Sequence, residues 1–285
     1  MSTTLSDTIM LQIEFLKMTR ELVDELPLSK KKAAAIRLMK DNVAVVVVLE
    51  SKEVSSVTNM LQFRNRHFIC VANTHIQFDP ELTDVKLLQV AELLLSLDRI
   101  TNSLVSRYPG AVIHVVLSGD FNSLPGSGAA YFPFLVGCWE VKLLQRNNAA
   151  HQLIALKNVH PNHPELLVDP FNVLRRTKLS HNMHLVSAYA SLLQTSRDEP
   201  DFRRQQTLVD SSTKEPLFTN FTGKFTGTLD YIFYTEDTLV VDGLLELLDA
   251  DVLSKNSALP SPIWPSDHIA LMGSFRIKQN PHRVS

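Results

Sequence analysis

Cysteine is scarce: Cys70 and Cys138 are the two in 285 residues. Cys70 sits in an apolar, strand-like run, so a disulfide-built scaffold is excluded and both read as free thiols of a reducing compartment. Long apolar runs are missing too. The longest, "VAVVVVL" at 43–49, is far too short to span a bilayer. The opening "MSTTLSDTIMLQIEFLKM" has no basic leader before an apolar core and no small-residue cleavage pattern, so no secretory leader is expected. The sequon "NFT" at 220–222 therefore carries little weight in a chain expected in the cytoplasm or nucleus. An excess of positive charge is also lacking, the formal net charge being −2. A global basic field for nucleic acid is excluded, so a polyanionic partner needs local Lys/Arg or a metal ion.

What is present is ordinary globular material, 45% hydrophobic and 20% charged. No repeat, low-complexity tract or linker divides the chain, which reads as one domain over 1–285. Residues 8–26 carry an apolar stripe of Leu11, Phe15, Met18, Leu22 and Leu26, predicting an amphipathic helix that ends before Pro27. Ser29 is placed as the cap of a second, basic helix running to Lys40, with "KKK" at 30–32 on its solvated face. "NVAVVVVLE" reads as a strand buried on both sides, and "HFICVANTH" at 67–75 as a second. A long helix is expected from Thr83, and "AVIHVVLSGDFN" is a third strand. Strands are also expected at "TLDYIFY", "TLVVDGLLELL" and "DHIALMGSFRI". Residues 139–162 show no regular period, and "HPNH" at 160–163 reads as loop. Strands alternating with helices indicate a layered α/β domain.

Chemistry-bearing side chains recur where strands end: His75, Asp120 with Asn122, Asp230, and Asp267–His268. One of these alone would be a turn former or a satisfied core residue. Several, each fixed to a strand, suit metal-assisted attack of water on a phosphodiester. Asp120 would accept the water's proton, and Asn122 would orient the water or donate its amide to a phosphate oxygen. His268 would stabilise charge developing on phosphorus, with Asp230 holding its tautomer. Asp267 would bind a hard divalent cation, and His75 would contact the phosphate from the opposite side.

"THIQFDPELTDVKLLQ", "GDFNSLPGSG", "LDYIFYT" and "PSDHIAL" resemble, in order, the motifs of the endonuclease/exonuclease/phosphatase superfamily. "LVDPFNVLRRTKLSHNMHLVSAYASL" and "EPLFTNFTGKFTGTLDYIFYTEDTLVVDGLLELLDADVL" look most like the plant branch of its carbon catabolite repressor (CCR–NOT) type poly(A) deadenylases. The resemblance implies a four-layer α/β sandwich: two mostly antiparallel sheets flanked by helices. It implies a Mg²⁺-dependent 3′-to-5′ exoribonuclease that shortens single-stranded poly(A) RNA, releases 5′-AMP, and assembles with deadenylase-complex subunits rather than a membrane. His75, Asp120, Asn122, Asp230 and His268 match catalytic positions, Asp267 a second metal position beside Asp120, and Pro80, Asn220 and Phe225 adenine-contacting ones.

The family pattern also has an upstream "LQE"-type strand end, whose Glu is the principal magnesium ligand, and an earlier Asn. Neither motif occurs in these residues, which are expected to begin partway through the domain, with 139–160 as an atypical insert. Glu50 in "VVVVLESKE" is expected to be a structural strand end, not that ligand. The alternative reading is a catalytically impaired homologue acting as an RNA- or complex-binding module. A phosphodiesterase or lipid phosphatase of the same superfamily is a third, disfavoured by the adenine-contact positions.

Overall fold

The computed structural model describes residues 4–52, 66–125, 149–193, 200–254 and 258–278. Strands β1 (Thr4–Glu14), β2 (Val43–Lys52), β3 (His67–His75), β4 (Val112–Asp120), β5 (Leu185–Ser187) and β8 (Asp230–Thr235) form one sheet in the order β1-β2-β3-β4-β8-β5. Its pairs are antiparallel except β3 with β4. Those two run parallel because the 25-residue helix α3 (Thr83–Arg107) carries the chain back between them.

The sheet's two faces follow from the alternation of side chains. Phe68, Cys70, Ala72, Val115, Leu117, Tyr231 and Phe233 share one core with Leu87, Leu88, Ala91 and Leu94 of α3. Helix α4 (Ala149–Leu156) adds Leu153 and Ile154 to that core, and α1 (Phe15–Asp24) adds Phe15 and Val23. On the other face, β9 (Leu239–Leu244) and β10 (Gly273–Ile277) form a two-stranded second sheet. Its Leu239, Val241, Phe275 and Ile277 pack with Val116, Val186, Ile232 and Tyr234. A further cluster gathers Tyr189 of α5 (Ala188–Leu193), Phe202 of α6 (Pro200–Gln206) and Leu253 of α7 (Ala250–Leu253) with Leu259 and Ile269. The architecture is thus α/β, with helices outside stacked sheets, and the second sheet has two strands among the described residues.

Three expectations are corrected. Residues 8–26 are not one helix: 4–14 form edge strand β1, and helix α1 starts at Phe15. The apolar stripe fits helical spacing, but Gln12, Ile13 and Glu14 pair with Val45, Ala44 and Val43, and ladder hydrogen bonds to β2 override the local pattern. Strand β2 is not buried on both sides, since Val43 and Val45 are exposed while Ala44, Val46 and Val48 are buried. The basic helix α2 (Leu28–Leu38) follows Pro27 with no side-chain cap, so Ser29 lies inside it.

Other expectations hold. β3 spans His67–His75 and α3 begins at Thr83. Glu50 is held by Arg66 through two hydrogen bonds of 2.5 and 2.7 Å, a strand-end ion pair. Lys31 caps the Asp24 carbonyl of the preceding helix at 2.6 Å. His160 and His163 accept hydrogen bonds from the backbone N–H groups of Asn162 and Glu165, as loop residues do. Of the expected insert, 139–148 lie outside the described residues, whereas Ala149–Leu156 form helix α4, which no sequence period announced.

Candidate active site

Register brings the site together. His75 is the last residue of β3 and lies beside Asp120, the last of β4, which lies opposite Asp230, the first of β8. All three therefore stand in one row across neighbouring strands, on the face that carries Val116, Ile232 and Tyr234. His75 Nε2 is 3.5 Å from Asp120 Oδ2, and the His75 side chain is well exposed.

His268 completes the row from outside the sheet. Its Nδ1 is 2.7 Å from Asp230 Oδ2, and its Nε2 is 3.9 Å from Asp120 Oδ2. Thr219 fixes this pair: its hydroxyl donates to Asp230 Oδ2 at 2.6 Å and accepts from the Leu229 and Asp230 backbone N–H groups. The same segment holds the loop that bears the histidine, because Ile269 N–H donates to the Thr219 carbonyl and Phe221 N–H to the Asp267 carbonyl.

Asn122 lies just beyond the end of β4 and does not continue its strand. It adopts a left-handed conformation with φ of 45°. Its backbone N–H donates to Asp120 Oδ1 at 2.8 Å, and its side-chain amide donates to the Ile76 carbonyl at 3.0 Å. The Asp–Asn turn thus fixes the direction of the Asp120 carboxylate.

Behind this turn lies Lys86, which sequence reasoning missed. It is buried in α3 and donates from Nζ to the Asn122 carbonyl at 2.8 Å. Burial pulls its pKa down to about 8, opposed by the charges of Glu165, Asp120 and Asp79. Its sequence signal was faint: a lysine within "TDVKLLQVAELL", a stretch buried on every side. Thr219 carried no signal at all.

The surroundings of Asp120 set it apart from an ordinary carboxylate. Burial, followed by repulsion from Asp230, raises the pKa of Asp120, while the Asn122 N–H and the two histidines oppose the rise. His268 is raised by its hydrogen bond to Asp230, so it holds its proton further up the pH scale. Asp120, Asp230 and His268 present ligand atoms within 4.8 Å of one another, the described group that converges in this way. Carboxylate oxygens under mutual repulsion suit a hard divalent cation, which relieves that repulsion. Asp267 stands apart from the group, exposed, its Oδ2 accepting from the Asn220 amide at 3.2 Å.

The expected base contacts lie around the row. Asn220 is buried, which also closes the sequon to modification. Phe225 lies half-buried on the turn between β6 (Asn220–Phe221) and β7 (Thr226–Gly227). Its ring lies over Gly227, where a Cβ would come within 2.8 Å of it. Pro80 is exposed on the loop after His75.

A profile of the Endonuclease/Exonuclease/phosphatase family matches residues 83–268. The chain is 44% identical over 273 residues to Carbon catabolite repressor protein 4 homolog 2 of Arabidopsis thaliana, covering 95% of this chain and 40% of that protein. It is 28% identical over 258 residues to the CCR4-Not complex 3'-5'-exoribonuclease subunit Ccr4 of Schizosaccharomyces pombe, covering 85% of this chain and 30% of that protein. The chain thus spans less than half the length of these curated relatives. Among solved structures, ANGEL2, a 2',3'-cyclic phosphatase in complex with adenosine-2',3'-vanadate, superposes with a TM-score of 0.55 at 24% identity. That match covers 96% of this chain and 68% of the other, a likeness of fold.

Proposed function

We propose, from the premise that this chain belongs to the Endonuclease/Exonuclease/phosphatase family, that it hydrolyses RNA phosphodiesters as a 3′-to-5′ exoribonuclease of poly(A), releasing 5′-AMP. The observation that carries the reading is the row of His75, Asp120 and Asp230 closed by His268. Similarity to plant and fungal relatives named for carbon catabolite repression and the CCR4-Not complex supports poly(A) as substrate and that complex's subunits as partners.

Asp120 takes the proton of the attacking water, its raised pKa making it a better base than an ordinary carboxylate. Asn122, pinned by its own hydrogen bonds, orients that water. His268, its pKa raised by the hydrogen bond to Asp230, offers Nε2–H to the charge that develops on the phosphoryl oxygens. His75 contacts the phosphate from the far end of the row, and Pro80, Asn220 and Phe225 hold the adenines. Mg²⁺ would be held by Asp120 and Asp230, the carboxylates that converge, with Asp267 standing outside that group, and when bound would offset the phosphate's negative charge.

The test is shortening of labelled oligo(A) with Mg²⁺ and with EDTA, wild type against Asp120→Ala. Stepwise loss of 5′-AMP that needs the metal is expected, with Asp120→Ala slower by about 10²–10⁴-fold, the usual contribution of a general base. A folded chain that binds oligo(A) without cutting it would instead be an RNA-binding module.

A further inference from the structure

Two large aromatic side chains stand in the open on the chain segments that carry His75 and His268. Phe78 is 73% exposed and follows His75 by three residues; Trp264 is 37% exposed and precedes His268 by four. Single exposed apolar residues are common on any surface. What sets these two apart is how firmly the backbone beneath them is held. Ile76 N–H donates to the Asp120 carbonyl at 2.9 Å, and the Ile76 carbonyl accepts from the Asn122 amide. Gln77 N–H donates to the Gln89 side chain, which in turn leaves the Gln77 carbonyl oxygen of its own side chain to accept from Phe78 N–H at 2.8 Å. On the other segment, Ser261 N–H donates to the Trp264 carbonyl at 2.7 Å and Trp264 N–H to the Ser261 hydroxyl at 3.1 Å. Pro262 and Pro265 stiffen the same turn, and Leu259 N–H ties it to the Phe221 carbonyl.

Neither ring stacks on another aromatic ring among the described residues, whereas the Phe225 ring lies over Gly227. Rigid backbone under an unstacked aromatic face, twice, and each time within a few residues of a reacting side chain, is what a stacking platform requires. The charge balance favours such platforms. With a net charge of −2 and Asp120, Asp230 and Asp267 at the site, phosphate attraction cannot supply most of the grip on a single strand. Base stacking adds affinity without charge and tolerates any sequence, purines included.

We propose that Phe78 and Trp264 stack on bases of single-stranded RNA, one on either side of the phosphodiester that is cut. The proposal rests on the exoribonuclease reading above and names how that site holds its strand. The test uses the full chain with Trp139→Phe, which leaves Trp264 as its only tryptophan. In EDTA, where no cutting competes, a ten-nucleotide oligo(A) is expected to quench Trp264 emission, and an abasic strand of equal length is not. Phe78→Ala is expected to weaken that binding about ten-fold. In Mg²⁺, Phe78→Ala and Trp264→Ala are each expected to raise KM for oligo(A) about ten-fold with kcat little changed, while cleavage of bis(p-nitrophenyl) phosphate, which has no base, stays at the wild-type rate.

If oligo(A) is bound and shortened but both variants match wild type, the stacking proposal falls and the exoribonuclease reading stands. An effect at one position alone overturns the two-sided grip. If the folded chain neither binds nor shortens oligo(A), both fall together.

Discussion

Gly119 shows how little freedom the site's own residues have. It sits at φ of 142°, one position before Asp120 and beside Thr74, and a Cβ there would lie 2.0 Å from the Thr74 carbonyl oxygen. Gly119→Ala is therefore expected to lower stability by about 2–4 kcal/mol, read from urea unfolding, through strain and the parting of β3 from β4. His114 offers a second residue-level test. Fully buried, with His67 at 3.0 Å, it has its pKa pulled down to about 4 by burial first and by His67 second. The unfolded chain, at the ordinary value of about 6.5, takes up the proton first. Stability thus falls as pH drops from about 6.5 toward 4, by about 2 kcal/mol at pH 5. In His114→Asn, the difference between urea midpoints at pH 7 and pH 5 is expected to shrink by that amount. Legibility at this scale was uneven. His75, Asp120, Asp230 and His268 could be picked out because histidines and carboxylates at strand ends are conspicuous in sequence. Thr219 and Lys86 could not, because their importance lies in which distant atom each one touches.

Among the elements, α3 is the central support of the site. Its N-terminal half is buried on all sides, so it carries a charge, Asp84, at zero exposure, and Arg37 of α2 answers it with hydrogen bonds of 2.8 and 2.9 Å. Removing one partner of such a pair leaves a buried charge behind. Arg37→Met is expected to cost about 3 kcal/mol in chemical denaturation, well beyond a surface ion pair, and Asp84→Asn in the same background to restore part of it. The first element teaches the opposite lesson. Residues 4–14 carry a pattern that helical spacing fits, yet they pair with β2, because a strand edge with unsatisfied backbone groups outweighs a weak local preference.

Across the whole molecule, the helix-facing core is continuous from α1 through the sheet to α4, so a group within it should become reachable only on global unfolding. Cys70 is such a group: fully buried, its thiol pushed up to about 12 by burial. With Cys138→Ser removing the other thiol, a thiol-reactive dye is expected to leave the native chain unlabelled and to label it with the denaturant profile of unfolding. Labelling under native conditions would show the core opening in parts.

No described helix is long and apolar enough to cross a membrane. The sequence by itself determined the α/β class, the positions of β3, β4 and α3, and the residue types of the candidate site. Those depend on local runs of apolar side chains and on the chemistry of single residues. Only the tertiary structure decided that His75, Asp120 and Asp230 share one row, that His268 reaches Asp230 across 38 positions, and that 4–14 are a strand. Register, crossover and edge pairing are set by contacts between segments far apart in the chain, and no local pattern encodes them.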